Sequence, residues 1–553
     1  MPYGATGRDR DDPGAWPPEP DEVAYGPRQA QARPAGRWTA RARSSWRGKS
    51  RLAKAGYVTV TLAAVVAVAA GVSAFALYRQ LNSNITKVQV GGLSGRTVYG
   101  AQNILVLGSQ ERLGQHGNFG HEADPGTTNS DNLLVIHLDP THTHATVLSI
   151  PRDLFVYQPA CKKRSYIGTG TWPAQNYPPG AIIDGALNIG GPTCAVETVE
   201  DLTGIKLDHF IEFDFNSFRT MVDSLGGVDV CVPPGPGYHD RYSHLNLSPG
   251  KHLLKYDQAL AYVRTRHGVG SGADAGGDLP RIQLQQAFIS SVVQKVQSNG
   301  LLSNLPALYG VAKTATKALT VDDGLGSVTS LVRLGESLSH LASRNVSLIT
   351  LPSTMDTYPG LQEHLMAVQP QDDVLFQMVR TGQSWNGHLP VQPHAKVQVR
   401  VLNGTGQTGL ASRTAAKLRS LGFDVTSVGD SASTATTTVD YAGLDQADDA
   451  YTLMTALKSF PAGQNMLAEP ASQVGKPGVV TLTLGRDFGG VNPPAAPVTH
   501  RASRHSKAAN SGTGSAPAVS DTVQSGPGAV QSRNAGANIC TGLPPAYNPG
   551  ATG

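Results

Sequence analysis

The chain has 553 residues, too many for one compact core, so two or more domains are expected. A formal net charge of only +4 argues against a protein that coats nucleic acid along its whole surface. Four cysteines without a Cys-x-x-Cys pair argue against a zinc or thioredoxin-like site.

Residues 1–54 are rich in Pro, Gly and Arg, a composition that predicts a disordered basic tail. No Asp or Glu occurs from Val23 to Gln110, while Arg28, Arg33, Arg37, Arg41, Arg43, Arg47, Lys49, Arg51 and Lys54 form a basic run. Gly56 to Tyr78 then supplies 23 uncharged residues rich in Ala and Val. That length crosses a bilayer core of about 30 Å. It exceeds a signal-peptide apolar region of about 7–15 residues. One retained transmembrane helix is expected over 55–78. Its basic flank stays cytoplasmic and everything after Arg79 lies outside the cell, a single-pass topology in the cell membrane. All four cysteines then fall on the outer side, where disulfides persist. Cys161 and Cys194 flank one loop-rich stretch and form the candidate bridge. Cys231, inside the apolar run 228–232, reads as a buried thiol, and Cys540 has no obvious partner.

A linker, 79–100, leads to a first domain expected over 101–382. Its strands are predicted at Asn103–Gly108, Asn132–Leu138 and Ala145–Ile150, each a continuous apolar run ending in turn residues. Such runs suit a sheet covered on both faces. Helices are predicted over Thr193–Thr203, Phe215–Leu225, Asp257–Val263 and Arg281–Val296, the last with apolar residues at helical spacing. Strands alternating with helices predict an α/β sandwich. Residues 383–395 read as a linker. A smaller α/β domain, 396–491, opens on the alternating run Lys396–Leu402 and closes on Val479–Leu484. The Pro-, Ser-, Ala- and Gly-rich stretch 492–553 is expected to carry no structure.

Polar residues recur where the apolar strands end, the usual place for ligand sites in α/β sheets. Arg112 follows the first strand, Asp131 precedes the second and Arg152 follows the third. Further on, Arg264-Thr265-Arg266-His267 precedes Asp278-Leu279-Pro280-Arg281. If Arg264–Arg266 is extended, both guanidinium groups share one face. These arginines have few acidic neighbours in sequence, so an external polyanion such as a pyrophosphate is expected. Five arginines around Asp131 suit phosphoryl transfer. The cations neutralise developing charge, and the carboxylate holds Mg²⁺ or takes a proton from an attacking hydroxyl.

The segments Asn103–Arg112, Asn129–Asp131, Leu148–Asp153, Gly190–Pro192, Val222–Val228 and Asp257–His267 resemble, in order, the motifs of the LytR-CpsA-Psr family. The resemblance covers roughly residues 101–300; Ser149-Ile150-Pro151-Arg152-Asp153 and Ala261-Tyr262-Val263-Arg264-Thr265-Arg266-His267 are its specific parts. It implies an α/β/α sandwich with a mixed sheet outside the membrane. It also implies a phosphotransferase that moves glycopolymers from a polyprenyl-pyrophosphate carrier onto peptidoglycan by a phosphodiester. Asp131, Arg152, Arg264 and Arg266 would then be catalytic. Arg112, Arg281 and Gln285 would bind substrate, and Asp131 would hold Mg²⁺. Phe210, Phe213, Phe215 and Phe218 are candidates for a lipid groove between sheet and helices. The chain departs from the family pattern at Gln110, where an Asp is usual, and at Asn129, Asp184 and Leu284. Gln110 keeps open a second reading, a non-catalytic protein that binds the lipid pyrophosphate or scaffolds the wall. A third, a transcriptional attenuator, would need a DNA-reading element; the basic tail shows no helix-turn-helix pattern.

Gly404-Thr405-Gly406-Gln407-Thr408-Gly409, with Asp424 beyond, matches a dinucleotide-binding pattern on paper. The domain is too short for a full two-halved Rossmann sheet, so a tight strand-to-helix turn is expected, with no nicotinamide cofactor. Val401–Gly404 and Leu421–Val425 resemble the LytR C-terminal domain, read here as a binding module for wall polymer or a partner.

Overall fold

The computed structural model describes residues 50–95, 100–110, 128–164, 167–176, 180–270, 278–298, 305–339, 341–355, 364–458, 478–493 and 530–545. The chain forms two compact units, Met1–Ala76 and Leu77–Gly553. Helix α1 is Arg51–Ser83. Within it, Ala55–Ser83 spans 29 residues and is, among the described residues, the helix long and apolar enough to cross a membrane. Its polar atoms are answered internally: the hydroxyls of Thr59 and Thr61 donate to the carbonyls of Ala55 and Tyr57.

The second unit is built on strands β1 (Thr86–Val88), β2 (Gln102–Ser109), β3 (Ser130–Leu138) and β4 (Ala145–Ile150). Helix α2 (Gly185–Thr203), strand β5 (His209–Phe213) and helix α3 (Phe215–Ser224) come next. A block of hairpins follows: β6 (Val228–Val232), β7 (Tyr238–Asp240), β8 (Leu245–Leu247) and β9 (Gly250–Leu254). Helices α4 (Tyr256–Arg264) and α5 (Asp278–Ser298) lead to β10 (Leu319–Asp322), β11 (Val346–Thr350) and helix α6 (Gln371–Arg380). The main sheet has eight strands in the order β1-β10-β5-β2-β3-β4-β11-β16, where β16 is Gln531–Asn534 near the C-terminus. It is mixed: β2 runs parallel to β5 and antiparallel to β3, and β4 runs antiparallel to β3 and parallel to β11.

Pleat parity sorts the apolar strands onto two faces. Leu105, Leu107, Leu133, Val135, Leu148, Ile150 and Phe210 pack with Ala195, Val196 and Val199 of α2. Ile104, Leu134, Ile136 and Val147 face the other way, towards Ile289 and Val293 of α5. The expected α/β/α sandwich is therefore what the chain forms. The disulfide Cys161–Cys194 pins the loop after β4 to α2, as expected. It leaves no room at Gly190, where a Cβ would meet the Cβ atoms of Cys194 and Cys161 at 2.6 and 2.8 Å.

The second domain is a four-stranded sheet of β12 (Gln398–Asn403), β13 (Asp424–Asp430), β14 (Thr438–Asp440) and β15 (Val480–Leu484), in the order β13-β12-β15-β14. Helix α7 (Leu410–Ser420) joins β12 to β13, and α8 (Ala447–Thr455) follows β14. The stretch expected as a linker at 383–395 buries Trp385 and Leu389, whose cluster runs from the α2 face into this domain. At the seam, the Tyr441 hydroxyl donates to Asp373 of α6. Burial pushes Asp373 up to about 6 and Asp372 well above its ordinary value.

Two expectations fail at the C-terminus. Residues 530–545 are structured: β16 pairs antiparallel with β11 and covers that edge of the sheet. Cys231 is not a buried free thiol, and Cys540 is not unpartnered; they form a disulfide across 309 residues of sequence. The returning strap also lies along α5. Buried Arg533 donates through Nε to Ser290 Oγ at 3.2 Å, and Gln294 Nε2 donates to the carbonyls of Ala535 and Ala537 at 2.6 and 2.9 Å.

Candidate active site

One cavity of about 970 Å³ opens between the sheet and helices α3, α4 and α5. Its polar end gathers Gln110, Asp131, Arg152, Arg264, Arg266, Arg281 and Gln285; its apolar end includes Phe213, Phe215, Phe218 and Phe288. Each polar group arrives from an element end. A register shift at Gly108/Ser109 in the β2–β3 pair sets Gln110 beside the start of β3, where Asp131 is second. Arg152 follows β4 directly, and Arg281 lies in the first turn of α5.

Asp131 is the hub. Its Oδ1 accepts from Arg152 and from the Gln110 amide, and Arg281 Nη1 lies 3.8 Å away. Burial alone would raise the Asp131 pKa, but Arg281, Arg152 and the Gln110 bond outweigh it, so the carboxyl sits below the usual range. Burial pulls Arg281 below the ordinary arginine value, against the attraction of Asp278 and Asp131. Arg152 goes the other way, because Asp131, Asp153 and Asp278 outweigh its burial. Among the described residues, the buried Nε atoms of Arg266 and Arg281 meet no hydrogen-bond acceptor.

The expectation that these arginines lack acidic neighbours fails, because the carboxylates come from elsewhere in the chain. Arg266 donates to Asp278 Oδ1 at 2.8 Å and to Asp153 Oδ2 at 3.2 Å, and Asp278 also pairs with Arg281 on the same helix. The extended Arg264–Arg266 segment is also corrected. Arg264 ends α4 with its guanidinium 4.7 Å from the centre of the Phe215 ring, and the chain turns extended at Thr265. Both arginines nonetheless line the cavity. Gln285 does too, and its Nε2 is tied to the Val263 carbonyl at 3.0 Å. Arg112 lies outside the described residues.

Three of the four candidate groove phenylalanines line the cavity; Phe210 does not. It is fully buried on the α2 face, one pleat step out of phase with Ile211 and Phe213. Sequence reading gave Asp278 and Asp184 no part in the site and did not place Phe288 in the groove. Asp184 holds the loop before β3, its carbonyl accepting from Ser130 N at 3.2 Å. Burial pushes its carboxyl up to about 7, with Arg152 opposing and Asp153, Asp131 and Asp278 adding to the rise. Alternation of apolar and polar positions carries no signal for these groups.

In the second domain, a Cβ on Gly404 would meet Thr434 Cγ2 at 2.6 Å and Ser431 Oγ at 2.9 Å. Gly404 therefore sits in a tight strand-to-helix turn, with Thr434 and Ser431 packed against it.

The LytR_cpsA_psr family model matches residues 70–378, more than half of the chain. The chain belongs to the LytR-CpsA-Psr family. Residues 396–488 match a second model, described as LytR cell envelope-related transcriptional attenuator. Among curated relatives, the cell wall biosynthesis protein LcpA of Corynebacterium glutamicum is 28% identical over 365 residues, 61% of this chain and 68% of that protein. TagV of Bacillus subtilis, named a polyisoprenyl-teichoic acid–peptidoglycan teichoic acid transferase, is 26% identical over 42% of this chain and 53% of its own length. A solved LytR-Csp2A-Psr enzyme from Actinomyces oris matches 53% of this chain and 95% of its own at 23% identity, with a TM-score of 0.40.

The family implies a magnesium ion. Among the described residues, Gln110 and Arg152 reach Asp131 through Oδ1, and the Gln110 amide that donates to it also carries an acceptor oxygen. Asp131 and the Gln110 amide oxygen would hold such an ion together with water and substrate phosphate.

Proposed function

We propose that this chain is a membrane-anchored phosphotransferase that moves a glycopolymer from a polyprenyl-pyrophosphate carrier onto peptidoglycan outside the cell. The observation that carries the reading is the joining of two chemistries in one cavity. An apolar groove walled by Phe213, Phe215, Phe218 and Phe288 runs into a cluster of four arginines. An isoprenoid chain fills the first, and its pyrophosphate meets the second. Arg264, Arg266 and Arg281 hold the pyrophosphate, and Arg152 stands where charge builds on the departing lipid phosphate. An acceptor hydroxyl attacks the phosphorus that bears the glycan. The bond from that phosphorus to the bridging oxygen breaks, and polyprenyl phosphate leaves. Asp131, held ionised by Arg281 and Arg152 and hydrogen-bonded by Gln110, would receive the hydroxyl proton. Magnesium bound at Asp131 and Gln110 would neutralise pyrophosphate charge. The apolar helix Ala55–Ser83 supports the anchor.

The Gln110 amide on Asp131 also favours a second reading, tight carrier binding without turnover. The test incubates full-length protein in detergent with lipid-linked glycan, peptidoglycan and Mg²⁺. A new phosphodiester and free polyprenyl phosphate are expected. Carrier binding with no product at any magnesium concentration would establish the second reading instead.

A further inference from the structure

At the polar mouth of the cavity, Tyr242 and His267 stand in the open, 61% and 51% exposed. Both line the cavity beside Arg264 and Arg266. Single exposed aromatics are ordinary on protein surfaces. This pair is different because it is built. The rings lie 4.4 Å apart between centres, tilted by 42°. Arg241 Nη2 donates to the Tyr242 hydroxyl at 2.6 Å, and its guanidinium carbon lies 4.7 Å from the ring centre.

The backbone beneath is clamped from both sides. Asp240, 2% exposed, accepts through Oδ1 from Tyr242 N at 2.8 Å and through Oδ2 from Arg266 N at 3.0 Å and His267 N at 3.2 Å. Its Oδ1 also lies 3.4 Å from His267 Nδ1. The Ser243 and Thr265 hydroxyls meet at 2.8 Å, and Thr265 donates onward to Ala261 O. His244 completes the turn with a left-handed φ of +61°. One buried carboxylate therefore fixes the aromatic pair and the arginine backbone as a unit. Rigid aromatics with few free torsions are low-cost contact surfaces.

We infer that the Tyr242–His267 platform binds the first pyranose of the donor, the sugar attached directly to the carrier pyrophosphate. This deepens the proposed function and rests on it: with lipid in the apolar end and pyrophosphate on the arginines, the sugar must leave by the mouth. The C–H face of a pyranose carries partial positive charge and suits the negative face of a tyrosine ring. Arg241 and His267 offer polar partners at the platform edge.

The test uses full-length protein in detergent and two probes, geranylgeranyl pyrophosphate and the same lipid pyrophosphate carrying one N-acetylglucosamine. Tyr242→Ala should weaken the sugar-bearing probe about tenfold, as the loss of one aromatic stacking contact predicts. It should leave the sugar-free probe within about twofold, and Tyr242→Phe should restore the sugar-bearing probe. Equal weakening of both probes would reduce Tyr242 to a scaffold role and overturn the inference. So would no change in either. A raised KM for peptidoglycan with donor affinity intact would move the platform to the acceptor and overturn the donor assignment. Failure of the unsubstituted protein to bind either probe would instead defeat the proposed function itself.

Discussion

The four arginines that line the polar end of the cavity are met by three carboxylates, Asp131 in the lining and Asp153 and Asp278 behind it, so the charge is nearly balanced before any substrate enters. Removing one member therefore does two things. Arg281→Ala should abolish carrier pyrophosphate binding, and it should also take one cation from Asp278 and Asp131, which keep Arg266 and Arg152 as partners. Both a loss of affinity in calorimetry and a drop in Tm are expected; retained affinity would show that Arg281 serves only the fold. Asp184 gives a pH signature of its own. It keeps its proton up to about 7 when folded but only to 3.8 in its ordinary setting. The folded state thus binds the extra proton across that window, so this contribution to stability is complete at low pH and fades as pH rises towards 7. Asp184→Asn cannot ionise, so its Tm should gain on the parent's between pH 4 and 7; parallel Tm curves would sink the assignment. The arginines were legible in sequence because their spacing is a motif. Asp278 stood in the same motif, but only the packing of α5 beside Arg266 tells which cations it serves.

Helix α5 serves two masters. Phe288, Ile289, Val292 and Val293 line the cavity, while Gln283, Ser290 and Gln294 grip the C-terminal strap. Filling the groove from this helix with Val292→Trp should weaken a C20 isoprenyl pyrophosphate at least tenfold while sparing a C5 analogue, since each buried CH₂ contributes about 0.8 kcal/mol. Equal loss for both lengths would mean the helix had shifted and the arginines with it. Gly190→Ala should prevent closure of Cys161–Cys194, because its methyl would occupy the space of both cysteine Cβ atoms. Thiol titration under denaturing conditions would report two free cysteines; none would show that the loop can yield. Strand and helix placement was read well from periodicity, and pleat parity could have excluded Phe210. Its neighbours Ile211 and Phe213 share the cavity-side phase, and Phe210 does not.

On the scale of the whole molecule, the C-terminal strap is the feature that sequence patterning hid. Cys231 sits in an apolar strand that buries a thiol as readily as a disulfide, and Cys540 lies beyond a long low-complexity stretch. Nothing local connects them. Cys540→Ser should cost about 2–4 kcal/mol, typical for a long disulfide loop. It should also bare the β11 edge, so a lower Tm and concentration-dependent association in light scattering are expected; an unchanged Tm would mean that β16 pairing alone holds the strap. The strap has a further consequence in time. Synthesis runs from the first residue to the last, and the final strand of the first domain is made after the second domain. Until then Cys231 waits unpaired while Cys161 and Cys194, 33 residues apart, can already close. A chain cut short anywhere after the arginine motifs would hold every cavity-lining group yet keep an open sheet edge and a reactive thiol. The pairing of β16 with β11 and of Cys540 with Cys231 can therefore form only after the second domain has been made.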